Sequence, residues 1–239
     1  VTLYNFIKKL NCFFEMIQFR YIYIIKNHYF RNTGSKVLFH KIKLKVKGSN
    51  NSLEFKNNSR MKNSTIIIRG KDNKIIISEN TVLRDSVVII NGNFNEIVIG
   101  SNNDLKFVEI NVQQSDNRLT VGNNTTTSGK VELYLKEGTS ISIGNDCMLS
   151  RGIIIRSSDG HSILNETHNR INDANSVEIG NHCWISQNVT ILKGVKVGSG
   201  SVVGVGSIVT KQYKDSNLML VGSPARIVKE NITWDRKLV

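Results

Sequence analysis

The sequence predicts an all-β chain wound as a parallel β-helix of triangular section, on the strength of two repeat periods. Gly48, Gly70 and Gly92 recur every 22 residues, and Asn51, Asn73, Asn95 and Asn117 carry the same period three positions on. Each Asn precedes an alternating apolar pair, Leu53/Phe55, Ile75/Ile77, Ile97/Ile99 and Leu119/Val121, with Gln114 in place of a fourth Gly. A second period, of six residues, runs through Ile179, Ile185, Ile191, Val197, Val203 and Val209, and backwards through Ile155, Leu149 and Ile143. Fixed periods of this kind belong to solenoids, whereas a sandwich or barrel needs turns at variable spacing.

Each element follows from the spacing. Six residues make one short extended side and a corner, and three sides bring the chain back one strand spacing above its start, about 4.8 Å. Apolar residues at the first position of each hexad then stack inward. A 22-residue coil carries about four extra residues as a bulged corner, and its Asn column forms a ladder that satisfies corner amides. About four coils of 22 followed by four of 18 are expected. The Ile-Gly pair at 143–144 recurs at 179–180, read as two groups of 18. Cys147 and Cys183 are accordingly expected two coils apart, about 9–10 Å, as core thiols too distant for a disulfide.

The ends differ from the body. Residues 1–47 hold ten Lys/Arg and one acid, and residues 1–40 hold ten of the seventeen aromatics. One or two amphipathic helices are predicted there. Two roles stay open for them: a cap on the open end of the coil or against another subunit, and contact with a membrane surface or partner. No apolar run reaches the ~20 residues that cross a bilayer. The body from 48 to 210 is almost charge-balanced, which argues against nucleic acid. After Val209 the hexads stop; the single Pro, Pro224, lies in V221-G-S-P-A-R, and the remainder reads as a capping strand or short helix. The expected division is 1–43 for the N-terminal segment, 44–214 for the β-helix and 215–239 for the C-terminal loop and cap.

The stretch from Ile179 to Lys211, with W184-I-S-Q-N-V-T-I-L-K-G, and the later V221-G-S-P-A-R resemble the hexapeptide-repeat acyltransferases. Within them, the similarity is to bacterial capsule and lipopolysaccharide O-acetyltransferases, including the type acting on sialic-acid polymers. It covers roughly residues 139–230. It implies a left-handed helix, an exception to the usual right-handed crossover. It also implies a homotrimer with active sites between subunits, acetyl-coenzyme A as donor, no metal, and a saccharide acceptor, anionic in the sialic-acid case. A cytoplasmic location, at the inner membrane surface if residues 1–40 touch it, is the matching expectation.

Hexad phase continues through 161, 167 and 173, but those positions hold His, Thr and Asp. The polar run from Ser157 to Asp173 is therefore expected to leave the prism as a loop, where catalysis tends to sit. A sugar hydroxyl needs a base, and His suits this near neutral pH. S157-S-D-G-H-S-I resembles the segment carrying the family's catalytic His, so His161 is expected as general base ahead of His168. Asp159 is its expected orienting partner. Trp184 should face outward; the resemblance places it by the donor thioester, with a backbone oxyanion donor as a further role. By the same resemblance, Gln187, Gly204 and Val205 line the pantetheine arm, and Lys211, Arg226 and Lys229 meet coenzyme phosphates. Arg156 and Arg170 flank the loop and are expected to hold an acidic acceptor. Two competing readings keep the fold: an N-acetyltransferase on a nucleotide-linked amino sugar, and a non-catalytic binding β-helix.

Overall fold

The computed structural model describes residues 21–24, 29–32 and 36–238. The chain winds as a left-handed parallel β-helix with three walls. Wall 1 begins at Lys43–Ser49 and ends at Ile208–Val209; wall 2 runs from Tyr29–Asn32 to Lys196–Val197; wall 3 runs from Leu38–His40 to Met219–Gly222, with Ala225–Lys229 added at its end. The chain visits the walls in the order 1, 2, 3, so the prism has three edges, here 1/2, 2/3 and 3/1.

The inward face is the apolar set that the periods select. Ile68, Ile90, Ile97, Ile99, Leu119, Ile141, Ile155, Ile185, Ile191, Val197, Val203 and Val209 are at most barely exposed. Each coil turns on residues that accept left-handed backbone. At edge 1/2, Gly92 has φ 152°, and a Cβ there would lie 1.8 Å from the Gln114 carbonyl oxygen, so only Gly fits. The Asn ladder forms beside it: Asn95 donates from Nδ2 to Asn73 Oδ1 (3.0 Å) and to the Gln114 carbonyl (2.9 Å). Its Oδ1 accepts from the Asn117 backbone N–H (2.9 Å). Edge 2/3 carries a column of left-handed residues, Asn58, Asn80, Asn102, Asn124, Asp146 and His182, residue types that tolerate this conformation.

Several expectations need correction. The 22-residue step persists further than four coils: on wall 3 it links Leu38, Arg60, Val82, Asp104, Thr126 and Met148 in five successive pairings. The 36-residue interval is one coil, since Ile143 pairs directly with Ile179 and Met148 with Trp184. The hexad phase survives because the chain spends 18 residues, a multiple of six, outside the prism. Cys147 and Cys183 therefore stack on adjacent coils, about 4.8 Å apart, as free buried thiols.

The described part of the N-terminal segment is strand, where helices were expected. Tyr21–Ile24 pairs antiparallel with Tyr29–Asn32, which pairs parallel with Ser52–Phe55. Runs of Tyr and Ile favour this pleated arrangement over a helix. Leu38–His40 is already part of wall 3, upstream of the boundary expected after 43. Residues 1–20, with Cys12 and five of the ten expected helical aromatics, lie outside the described residues. At the other end, Ala225–Lys229 folds back antiparallel on Met219–Gly222, a capping strand.

Candidate active site

The excursion leaves wall 1 after Ile153–Arg156 and rejoins wall 2 at Val177–Ile179. It is pinned at its base by a set of polar contacts. Arg170 makes a two-pronged ion pair with Glu137, which also accepts from Ser158 Oγ (2.5 Å). The Arg170 guanidinium, then the Ser158 hydroxyl, hold the Glu137 carboxyl down at about 2. Lys136 Nζ donates to the Gly160 carbonyl (2.8 Å). Asn172 is buried and works in both directions: Nδ2 donates to Asp159 Oδ2 and to the His161 carbonyl, each at 2.8 Å, and Oδ1 accepts from the Ile163 N–H at 2.7 Å.

These contacts place His161 on the rim of a cavity of about 260 Å³ whose lining includes Asn111, Gln113, Tyr134, Lys136, Arg156 and Asp159. The His161 residue is exposed. Arg156 lies over the Tyr134 ring (5.4 Å), with its Nε buried and unpartnered. Tyr134 donates to Glu132 Oε2 (2.5 Å), and that bond, with burial, pushes its phenol up to about 12. The cavity thus joins an imidazole, a free guanidinium edge, amides and a neutral phenol.

Two expected roles shift. Asp159 does not bond the His161 ring; its carboxylate meets Lys193 Nζ (2.6 Å) and Asn172, the Lys193 contact holding it below the usual range. The residue that ties His161 in place is Asn172, through the backbone. Arg170 is turned to Glu137 instead of the cavity, leaving Arg156 as the arginine that faces it.

The expected donor residues lie elsewhere. Trp184 stands half-buried on wall 3, outward as expected, between Met148 and Val202 in register. Its backbone N–H donates to the Ser201 carbonyl (2.9 Å), so that group belongs to the coil ladder and is not a spare oxyanion donor. The indole Nε1 is buried and has no acceptor. Gln187 and Gly204–Gly206 meet at edge 3/1, where the Gly206 N–H donates to the Gln187 carbonyl (2.9 Å). Val205 projects from this corner at 67% exposure. A Cβ at Gly204 would lie 2.8 Å from Val221 Cγ2, so packing against the next coil already calls for Gly there. Lys211 lies over the Tyr213 ring (5.4 Å), and both Tyr213 and Arg226 donate to the Ala225 carbonyl (2.5 and 2.9 Å). Lys229 is exposed on the capping strand. Among the described residues no group of three or more His, Cys, Asp or Glu is placed to hold a metal ion, and no helix is long and apolar enough to cross a membrane.

The model "Bacterial transferase hexapeptide (six repeats)" matches residues 176–211. A solved structure of the polysialic acid O-acetyltransferase OatWY superimposes with a TM-score of 0.75 at 35% identity, covering 82% of this chain and 92% of that one. The chain belongs to the hexapeptide-repeat acyltransferases. The structure of the polySia-specific acetyltransferase NeuO is similar too, with a TM-score of 0.64 at 32% identity over 89% of this chain and 91% of that one. Among curated members, polysialic acid O-acetyltransferases of Neisseria meningitidis and Escherichia coli O1:K1 / APEC are 39% and 37% identical over 114 and 112 residues. These alignments span 53% and 36% of those relatives' own lengths, so the chain matches about half or less of each. Sequence reasoning missed Asn172, Glu137 and Lys193. Only Asn172 carried a signal, as a polar residue that the coil pattern could not use.

Proposed function

We propose that this chain is an O-acetyltransferase that moves an acetyl group from acetyl-coenzyme A to a hydroxyl of an anionic bacterial surface saccharide. The observation that carries the reading is the pinned excursion, which holds His161 beside a cavity lined by Arg156, Lys136, neutral polar groups and Asp159, whose carboxylate is paired with Lys193. Arg156 and Lys136 suit a carboxylate-bearing sugar, and the relatives named for polysialic acid act on such a polymer. His161 accepts the hydroxyl proton as the sugar oxygen attacks the thioester carbonyl. The tetrahedral intermediate collapses, the carbon–sulfur bond breaks, and the imidazolium returns the proton to the departing thiolate. No acyl-enzyme is needed.

The expected donor groove and the His161 excursion lie on different edges of one prism, 3/1 and 1/2. Direct transfer needs reacting atoms about 3–3.5 Å apart. A neighbouring subunit supplies the missing half, which fits a homotrimer with sites between protomers. A cytoplasmic location, where acetyl-coenzyme A is made, follows from the donor.

The test is thiol release from acetyl-coenzyme A in the presence of sialic-acid polymers, neutral glycans and nucleotide-linked amino sugars. Release dependent on an acidic glycan hydroxyl supports the reading; release only with an amine acceptor gives the N-acetyltransferase instead. His161→Ala should lose transfer at least a hundredfold and keep coenzyme binding. Mixing equal His161→Ala and Trp184→Ala chains, each inactive, should restore about one quarter of wild-type sites if sites span subunits. No recovery on mixing would refute shared sites.

A further inference from the structure

The C-terminal residues after the capping strand do not trail away. They descend edge 2/3 against the column of left-handed corner residues. The Ile232 N–H donates to the Asn217 carbonyl (3.0 Å). Two coils lower, the Trp234 ring stacks on the His182 imidazole with centroids 4.2 Å apart and planes 11° from parallel. Trp234 Nε1 donates to the His182 carbonyl (2.8 Å), and the His182 Nε2 faces the Trp234 carbonyl oxygen (3.1 Å). Lower still, Arg236 reaches Asp146 Oδ1 (3.1 Å), Thr126 Oγ1 (2.7 Å) and the carbonyls of Asn124 (3.2 Å) and Cys147 (3.0 Å). Asp146 Oδ2 meets His182 Nδ1 at 2.7 Å.

Two features point beyond packing. Trp234 also lies 6.1 Å from the Trp184 ring, tilted at 45°, within the range where aromatic pairs attract. Trp184 Nε1 has no acceptor, so no hydrogen bond sets the angle of that indole, and its neighbours must. Both His182 nitrogens face acceptors, a carboxylate and a carbonyl. Only the imidazolium, a donor at both nitrogens, satisfies that arrangement.

We propose that residues 231–238 form a strap whose Trp234, held on His182, sets the position of Trp184 at the donor groove, so that His182 and Trp234 are positioning residues for acetyl-coenzyme A. This rests on the reading above that Trp184 meets the donor. The groups facing His182 are the Asp146 carboxylate, the Trp234 carbonyl and, through Asp146, the Arg236 guanidinium. Burial lowers the His182 proton affinity, but the bonds to Asp146 and Trp234 outweigh it and the net direction is upward. The strap is therefore fully held below the ordinary His value of 6.5 and released as pH rises through the higher folded value.

The chain has two Trp residues, so each can be watched alone. In Trp184→Phe, the emission of Trp234, quenched by the stacked imidazolium, should rise as pH climbs above the ordinary His value of 6.5. His182→Asn should abolish that transition, and Asn suits the left-handed corner, as at Asn124. Trp234→Ala should raise the acetyl-coenzyme A KM about tenfold with kcat within twofold, and Trp234→Phe should restore most of it. Deletion of residues 231–239 should match Trp234→Ala. A folded Trp234→Ala chain with wild-type KM overturns the strap's role and leaves the proposed reaction intact. A wild-type chain that neither transfers acetyl nor binds coenzyme A overturns the reaction and the positioning role together.

Discussion

Replacing Asn172 by Ala should detach the His161 excursion without disturbing the prism. The side chain donates to the Asp159 carboxylate and the His161 carbonyl, each at 2.8 Å, and accepts from Ile163 N–H at 2.7 Å. The two neutral bonds contribute about 1 kcal/mol each, the charge-assisted bond to Asp159 about 1.5 kcal/mol at the lower end of its range, and the longer bond that Oδ1 accepts from Arg170 Nε (3.3 Å) less. Most of the excursion is exposed, so water replaces part of this, and a net loss of about 2 kcal/mol, or about thirtyfold in the closed population, remains. kcat should fall by about ten- to thirtyfold. The KM for acetyl-coenzyme A should hold, because Trp184 on wall 3 and the expected pantetheine groove at Gln187, Gly204 and Val205 lie away from edge 1/2. Hydrogen exchange of residues 159–172 should quicken while that of the coils does not. A kcat within twofold of wild type, with exchange unchanged, would refute the idea that this amide holds the base in place.

The Glu137–Arg170 pair gives the excursion an acid limit. A carboxyl depressed from 4.5 to about 2 contributes fully above 4.5 and loses its contribution as pH falls towards 2. Protection factors of residues 160–172, corrected for the intrinsic pH dependence of exchange, should therefore fall across that window in wild type and be already low, and flat with pH, in Glu137→Gln. In the body, Asn95→Leu removes four ladder bonds and orphans the buried Asn117 N–H. Urea denaturation should show a loss of about 3–5 kcal/mol, against about 0.5 kcal/mol for Asn58→Gly in the exposed ladder, where Gly keeps the left-handed backbone. Hydrogen bonding to Cys147 and burial hold the Cys183 thiol above its ordinary range. Both thiols are fully buried, so an Ellman titration of folded protein should leave Cys147 and Cys183 unreacted until denaturant is added.

The body was legible because a coil repeats its constraints. A Gly at three successive 1/2 corners, an Asn three residues on and an alternating apolar pair after it each have one structural solution at that spacing. The same regularity misled at residues 143–179. An excursion of 18 residues preserves hexad phase, so counting residues could not tell one coil with a loop from two coils. Polar His161, Thr167 and Asp173 at inward positions gave the loop away. Nothing in that reasoning measured how many coils it replaced. The strand at Tyr21–Ile24 was missed because its aromatics were weighed as an amphipathic face. Contacts across long separations were beyond reach altogether. His182 and Trp234 are 52 positions apart, and no local pattern pairs them. The one available sign at His182 was its place in a corner column otherwise held by Asn and Asp.

A prism of this kind divides its own flexibility. Every coil is bonded to two others along three walls, so the deformation of one wall must propagate to the coils above and below, and the body is unsuited to ligand-dependent change. The excursion and the strap escape this. Each is an added segment, held by a few partly exposed polar bonds of the strength that ligand binding can outweigh. Each also ends on a residue of the proposed site: the excursion on His161 at edge 1/2, the strap on Trp184 beside edge 2/3. The rigid walls fix where those two groups stand, and the two added segments fix how they are presented. Substitutions in the walls should therefore appear as losses of folded protein. Substitutions at Asn172, Glu137, His182 or Trp234 should appear as changed kinetics in chains that remain folded.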